Sequence, residues 1–219
     1  HYEFANEDAN HAIRVLRMQP GAEFMLSDGN GAWSQVKAVE VSKKSMQVKV
    51  IDSGYQEALA TTITVVQALP KGDRSKEAIE LLTEAGVDRI VPWAATRSIG
   101  KGTDKFAITA REASKQSRRF RIPEVLGVAA TNAVVDQIAQ ADLAIVFHES
   151  AQFKLTEIVK PGIKKVLAII GPEGGITEEE LAIFTAAGAQ VALLGRPIFR
   201  SAHAGMAALS GLNAALNIW

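Results

Sequence analysis

The sequence predicts an α/β protein: a mainly parallel sheet with helices on both faces, preceded by a small β-rich domain in which a helix and a few antiparallel strands fit a small barrel. Three observations carry this. From position 61 onward, short apolar runs alternate with helical stretches, the pattern of strands joined by crossover helices. The run 61–68, Thr-Thr-Ile-Thr-Val-Val-Gln-Ala, is β-branched and nearly continuous, as a strand buried on both faces should be. Before position 57 the strand candidates show rough apolar alternation and meet at Asp28-Gly29-Asn30-Gly31, a strong hairpin turn signal. The domains are placed at 1–57 and 58–219.

In the first domain, 9–18 reads as a short amphipathic helix with Ile13, Val15 and Leu16 inward, capped by Asp8 or Asn10 and ended by Pro20-Gly21. Strands follow at 23–26, 32–41 and 45–51, and 52–60 reads as a linker. In the second domain, strand 61–68 ends in a polar loop, Lys71-Gly72-Asp73-Arg74. Helix 75–85 turns Ile79, Leu81 and Leu82 inward and stops at Gly86. Strand 87–93, loop 96–102 and helix 103–119 come next, the helix with Phe106, Ile108, Ala110 and Ala113 on its apolar side. A short strand at 125–128, a helix at 132–140 and a strand at 142–147 ending in His148-Glu149 follow.

The apolar run 166–170 reads as a buried strand that stops at Gly171-Pro172, because proline cannot donate to a ladder. Gly174 and Gly175 allow positive φ and close approach. Thr177 then caps a helix, with Glu180 closing a capping box and Gly188 as its stop. Strand 191–194 ends at Gly195, 197–200 is loop, and Ser201 caps a last helix, 203–216. That helix is so rich in alanine and glycine that something must lie very close against it.

At 219 residues, with 47% hydrophobic and 22% charged, the chain has ample core and the composition of a soluble globular protein. No apolar stretch approaches the roughly 20 residues a membrane helix needs, and no signal-peptide pattern is present; the cytoplasm is the expected compartment. There is no cysteine and only four scattered histidines, so no metal site is expected. The chain begins at His1 rather than Met, which leaves room for a missing N-terminal piece. Formal net charge is zero, which argues against a protein that coats nucleic acid. Yet between Lys101 and Arg121 seven basic residues stand against two acids, a local +5.

In mainly parallel sheets, ligands sit outside the carboxyl ends of the strands. Three such ends carry unusual loops: Phe147-His148-Glu149, the Gly171-Pro172-Glu173-Gly174-Gly175 turn, and the segment from Leu194 to Arg200. The glycine loop opens onto Glu178, Glu179 and Glu180, which makes a poor phosphate cradle. A neutral or cationic ligand suits it better than a nucleotide phosphate.

Ile170-Gly-Pro-Glu-Gly-Gly175 together with Leu194-Gly-Arg-Pro-Ile-Phe-Arg200 closely resembles the bacterial 16S ribosomal RNA uridine-N3 methyltransferases of the SPOUT superfamily. His11-Ala-Ile-Arg-Val-Leu-Arg-Met18, Gln67-Ala-Leu-Pro-Lys-Gly-Asp-Arg74, Glu80-Leu-Leu-Thr-Glu-Ala-Gly-Val87 and Gln116-Ser-Arg-Arg-Phe-Arg-Ile-Pro-Glu124 agree, so the resemblance runs in order over nearly the whole chain. It implies an N-terminal PUA-like RNA-binding β-barrel and a C-terminal SPOUT-type α/β domain, whose last segment is threaded into a trefoil knot that binds S-adenosylmethionine (SAM). It also implies a homodimer through the C-terminal domains, and the small ribosomal subunit with its 16S RNA as partner.

By the same resemblance, Phe147, His148, Ile170, Gly171, Pro172, Glu173, Gly174, Gly175, Leu194, Gly195, Ile198 and Phe199 bind the cofactor. Arg200 stabilises charge on the reacting base, and Glu173 stands near the sulfonium; a structural acid bonding nearby amides is the equal alternative for Glu173. His11, Arg14, Arg17, Lys71, Arg74, Lys115, Arg118, Arg119 and Arg121 face RNA, with the cluster 115–121 as the strongest candidate phosphate contact. Phe120 is either a base-stacking ring or core, and His11 either an RNA contact or plain surface.

Two departures stand out. Where the family commonly has Leu-Arg-Thr-Glu-Thr-Ala, this chain has Phe199-Arg-Ser-Ala-His-Ala204, and Lys115 replaces a common Glu. Histidine is a residue type suited to general-base work, but the first-turn position of His203 favours packing or capping. The changed Ala202-His203 leaves a second reading, an inactive RNA-binding homologue of the same fold. A third, a small-molecule enzyme using a nucleotide cofactor, lacks both Gly-x-Gly-x-x-Gly after the first long strand and a Walker lysine motif.

Overall fold

The computed structural model describes residues 1–100 and 102–219; Lys101, counted in the basic stretch, lies outside them. The chain forms two compact units, one of His1–Ala58 with Arg119–Arg121, the other of Leu59–Arg118 with Ile122–Trp219.

The first unit runs β1 (Tyr2–Phe4), α1 (Glu7–Arg14), β2 (Glu23–Ser27), β3 (Ala32–Val41) and β4 (Met46–Tyr55). Its four strands are antiparallel in the order β1-β4-β3-β2. Helix α1 starts earlier than the sequence suggested: Asn6, not Asp8 or Asn10, caps it by accepting from the Ala9 N–H at 2.9 Å. Consequently Ala9 and Ala12 face inward, while Val15 and Leu16 lie past the helix end and are exposed. The core here is small: Ala12, Val36, Ala38, Met46 and Val48.

The expected linker 52–60 is in part strand, since β4 continues to Tyr55. Within it, Gly54 sits opposite Trp33 in the ladder. A Cβ there would come within 2.6 Å of the Trp33 ring, so the glycine makes room for the indole. Phe120 stacks on Trp33 at 5.7 Å. Arg121 donates to the Gln56 carbonyl at 2.9 Å and to the Tyr55 hydroxyl at 2.8 Å. These contacts stitch the tripeptide Arg119–Arg121 into the first unit.

The second unit runs β5 (Thr62–Ala68), α2 (Arg74–Glu84), β6 (Arg89–Trp93), α3 (Phe106–Gln116), β7 (Glu124–Val125), α4 (Thr131–Gln140) and β8 (Leu143–Phe147). It continues through β9 (Phe153–Lys154), α5 (Leu155–Ile158), β10 (Lys165–Ile170), α6 (Glu178–Ala186), β11 (Gln190–Leu193) and α7 (Ser201–Ala215). The seven strands lie in the order β7-β6-β5-β10-β8-β11-β9, every pair parallel. The short β9 and α5 had no clear signal in the sequence.

Strand alternation sorts the core into two layers. Ile63, Val65, Val166 and Ile170 face a cluster with Ile79 and Leu82 of α2 and Leu209 and Leu212 of α7. Val66, Leu167 and Ile169 face the other, with Val134 of α4 and Phe184 of α6. Both faces of β5 and β10 are therefore buried, which accounts for their continuous apolar sequence.

Helix α3 ends at Gln116, short of the expected Arg119, because Arg118 takes a left-handed φ of 57°. Ile108 is exposed rather than inward; Phe106, Ala110 and Ala113 carry that helix's buried face. Helix α7 begins at Ser201, so Ser201 is its first residue and Arg200 its N-cap. The close neighbour of α7 is real: a Cβ on Gly205 would meet both Gln67 Oε1 of β5 and Leu82 Cδ2 of α2 at 2.9 Å.

Candidate active site

The carboxyl ends of β8, β10 and β11 open onto one cleft of about 760 Å³ in the second unit. It is lined by Phe147 and His148, by Ile170, Gly171, Pro172, Glu173, Gly174 and Gly175, and by Leu194, Gly195, Ile198, Phe199 and Arg200. The three loop ends singled out in the sequence thus line one cavity, because β10, β8 and β11 are consecutive in the sheet.

The glycine loop is held by three tethers. Ser201 Oγ donates to the Gly171 carbonyl at 2.7 Å, the Lys71 N–H donates to Glu173 Oε1 at 3.3 Å, and Arg97 Nη1 donates to the Gly174 carbonyl at 2.9 Å. The loop also closes on itself, the Gly175 N–H donating to Pro172 O at 2.9 Å. Gly175 sits at φ 76°, where a side chain is strained. The contact made by Glu173 is that of a structural acid on a backbone amide, while the residue still borders the cleft.

Behind the loop, Thr177 and Glu180 form the expected capping box. Glu180 is 2% exposed, and its oxygens accept from the Thr177 N–H at 3.0 Å and the Thr96 N–H at 2.8 Å. Burial by itself pushes this carboxyl up; the backbone and side-chain hydrogen bonds from Thr96 and Thr177 outweigh it and hold the carboxyl below its ordinary value. One buried carboxylate therefore fixes both the start of α6 and the loop after β6.

His148 accepts the Ser150 N–H on Nδ1 at 3.2 Å. Phe199 leans over Gly195, where a Cβ would lie 3.3 Å from the ring. His203 points away from a proton-transfer role: its Nε2 lies 3.1 Å from Glu77 Oε1 of α2. Neither Ala202 nor His203 lines the cleft, whereas Ser201 does.

The RNA-facing candidates divide between the units. His11, Arg14 and Arg17 are exposed on the first, where Arg119 and Arg121 are half-buried. Lys71, Arg74, Lys115 and Arg118 are exposed on the second. Arg74 lines the cleft. Lys115 pairs with Glu112 at 2.6 Å, and Arg121 is engaged with Tyr55 and Gln56. Phe120 stacks on Trp33, a protein ring.

Sequence reasoning passed over Arg97 and Arg196, which line the cleft, and over Glu180 as a lock. Arg97 follows the carboxyl end of β6, so the strand-end rule applied to a fourth strand would have found it. Among the described residues no group of three or more His, Asp or Glu could hold a metal, and no helix is long and apolar enough to cross a membrane.

The cleft suits a ligand of SAM's size, its volume falling within the range of small-molecule sites. Comparison with known proteins agrees. A family model described as RNA methyltransferase domain matches residues 57–213, and one described as RNA methyltransferase PUA domain matches residues 4–51. Ribosomal RNA small subunit methyltransferase E of Mycobacterium bovis is 33% identical over 97% of this chain and 86% of its own length. The Bacillus subtilis protein of that name is 27% identical over 97% of this chain and 89% of its own. Among solved structures, a Legionella pneumophila chain described as a methyltransferase, with SAM bound, superposes with a TM-score of 0.88 at 26% identity, covering 98% and 91% of the two chains.

Proposed function

The chain belongs to the RNA methyltransferase family that includes ribosomal RNA small subunit methyltransferase E, and on that premise we propose that it methylates N3 of one uridine of 16S ribosomal RNA. At the coarser level it is a SAM-dependent ribosomal RNA methyltransferase. The observation that supports this reading is the meeting of three loops, those of Phe147-His148, of the five residues at 171–175 and of Leu194 to Arg200, on one cleft.

Phe147, His148, Ile170 to Gly175, Leu194, Gly195, Ile198 and Phe199 hold the cofactor in this reading, with backbone groups at the strand ends available to its polar edges. SAM supplies an electrophilic methyl on a sulfonium. The uridine N3 carries a proton that must leave before or during attack, so the protein's tasks are orientation and stabilisation of charge on the base. Arg200, exposed on the cleft at the start of α7, takes the second task. Glu173, one of two acids on the cleft, is the acid this reading places near the sulfonium. The domain fused in front, with Arg14 and Arg17 exposed on it, supplies RNA affinity.

In this proposal the last segment is threaded as a knot. The chain leaves β11 beyond β8, yet Ser201 returns to bond Gly171 and Gln67 at the ends of β10 and β5. The proposed assembly is a homodimer through the C-terminal units, and the proposed compartment is the cytoplasm, where ribosomal subunits are. The changed Ala202-His203 pair does not favour an inactive homologue, because neither residue borders the cleft.

The test is transfer of labelled methyl from SAM to 16S RNA, offered naked and in assembled subunits, with the product nucleoside identified by mass spectrometry. One methyl on uridine N3 per RNA is expected; label on another atom or another RNA overturns the finer reading.

A further inference from the structure

The cleft has a charge that its cofactor cannot balance. Four arginines line it, Arg74, Arg97, Arg196 and Arg200, against two acids, Glu149 and Glu173, a surplus of two positive charges. SAM brings a sulfonium, an ammonium and one carboxylate, so its binding adds a further positive charge rather than removing one. The four guanidiniums come from four places: the start of α2, the loop after β6, the loop after β11 and the cap of α7. All four residues are exposed. Among the described residues, none of them forms an ion pair with a carboxylate.

We infer that Arg97 and Arg196, together with Arg74, form a phosphate clamp at the mouth of the cleft, gripping the RNA backbone on either side of the nucleotide being methylated. Resting on the RNA methyltransferase reading, this adds two residues to the RNA contacts. Guanidinium forks match phosphate oxygens, and Arg97 spends only one of its five N–H donors on the Gly174 carbonyl. Its remaining donors are available to an anion, while the spent one ties the clamp to the glycine loop. A base entering a 760 Å³ cleft must leave its stack, and phosphate contacts beside it fix the register in which it enters. The acids at the base of the loop, Glu178 and Glu179, are exposed and repel phosphate, which confines the polyanion to the arginine-lined rim.

The experiment compares the wild-type chain with Arg196→Gln, Arg97→Gln and the Arg74→Gln/Arg196→Gln double variant. Anisotropy of a labelled uridine-containing 16S RNA fragment is followed against salt, and SAM affinity is measured by calorimetry. Each lost clamp residue is expected to weaken RNA binding several-fold and to flatten the salt slope by roughly 0.7, with SAM affinity unchanged for Arg196→Gln and the double variant. Unaltered RNA affinity and slope overturn the clamp. Loss of SAM affinity with RNA binding intact also overturns it, since the arginines would then serve the cofactor carboxylate. Uridine 5′-monophosphate binding as tightly as the fragment would replace the backbone by a single phosphate. A wrong methylation site in the wild type instead defeats the proposed function, and leaves the variant-to-wild-type ratio readable.

Discussion

Ser201 Oγ donates to the Gly171 carbonyl across 2.7 Å and accepts from Gln67 Nε2 at 3.1 Å. Three segments far apart in sequence meet at this hydroxyl: the end of β5, the glycine loop after β10 and the first turn of α7. The Gln67 amide is buried and its Oε1 has no partner among the described residues, so losing Ser201 would leave it still less satisfied. Ser201→Ala is expected to cost about 1–3 kcal/mol in urea unfolding and to weaken SAM binding, because the Gly171 carbonyl is released. Ser201→Thr keeps the hydroxyl and should restore both. Full SAM affinity in the alanine variant would show that the tether does not shape the loop.

Glu180 makes stability depend on pH in a defined direction. Its carboxyl is held below the ordinary 4.5 in the folded chain, so the charged form stabilises the fold. That contribution is complete above the unfolded pKa and drains away as pH falls through the folded one. Glu180→Gln cannot accept from both the Thr96 and Thr177 N–H groups in the same way, and is expected to lose about 1.5–3 kcal/mol at pH 7. The gap between wild type and variant should shrink below pH 4.5. A gap that stays constant from pH 7 to pH 3 would rule out the ionised lock.

Arg200 caps α7 through its backbone while its side chain is left to the cleft. The two roles separate experimentally. Arg200→Ala should lower single-turnover methyl transfer by about 10²–10³-fold, the scale for removing a donor to developing charge, with little change in unfolding free energy or SAM affinity. If transfer stays within a few-fold of wild type, Arg200 is not the residue that stabilises the base.

The sheet was legible because burial on both faces writes itself as unbroken apolar runs, and the capping box of Thr177 and Glu180 because its donors and acceptors are spaced three residues apart. The cleft was legible because parallel strands put their loops on one side. What the sequence hid was non-local. The stretch 52–60 reads as a linker until Trp33 is placed opposite Gly54. Phe120 stays a choice between base-stacking ring and core until Trp33 is placed against it, and the bonds from Arg121 to Tyr55 and Gln56 leave no local mark. The reach of Glu180 to Thr96, across 84 positions, leaves no mark on local pattern.

Arg118 offers a way to separate charge from fold in the basic stretch. Arg121→Ala would break the bonds to Tyr55 and Gln56, so any loss of RNA affinity there would mix a lost phosphate contact with a disturbed first unit. Arg118 is exposed and sits at φ 57°, a conformation that glycine adopts without the usual penalty of about 1 kcal/mol. Arg118→Gly should therefore leave stability equal to wild type or slightly higher, since relief of the left-handed φ offsets the greater freedom of glycine in the unfolded chain. RNA affinity should fall, and its salt slope should flatten by roughly 0.7–0.9. Stability and salt slope measured on the same preparation decide it: an equally stable variant with an unchanged slope would remove Arg118 from the RNA-binding surface.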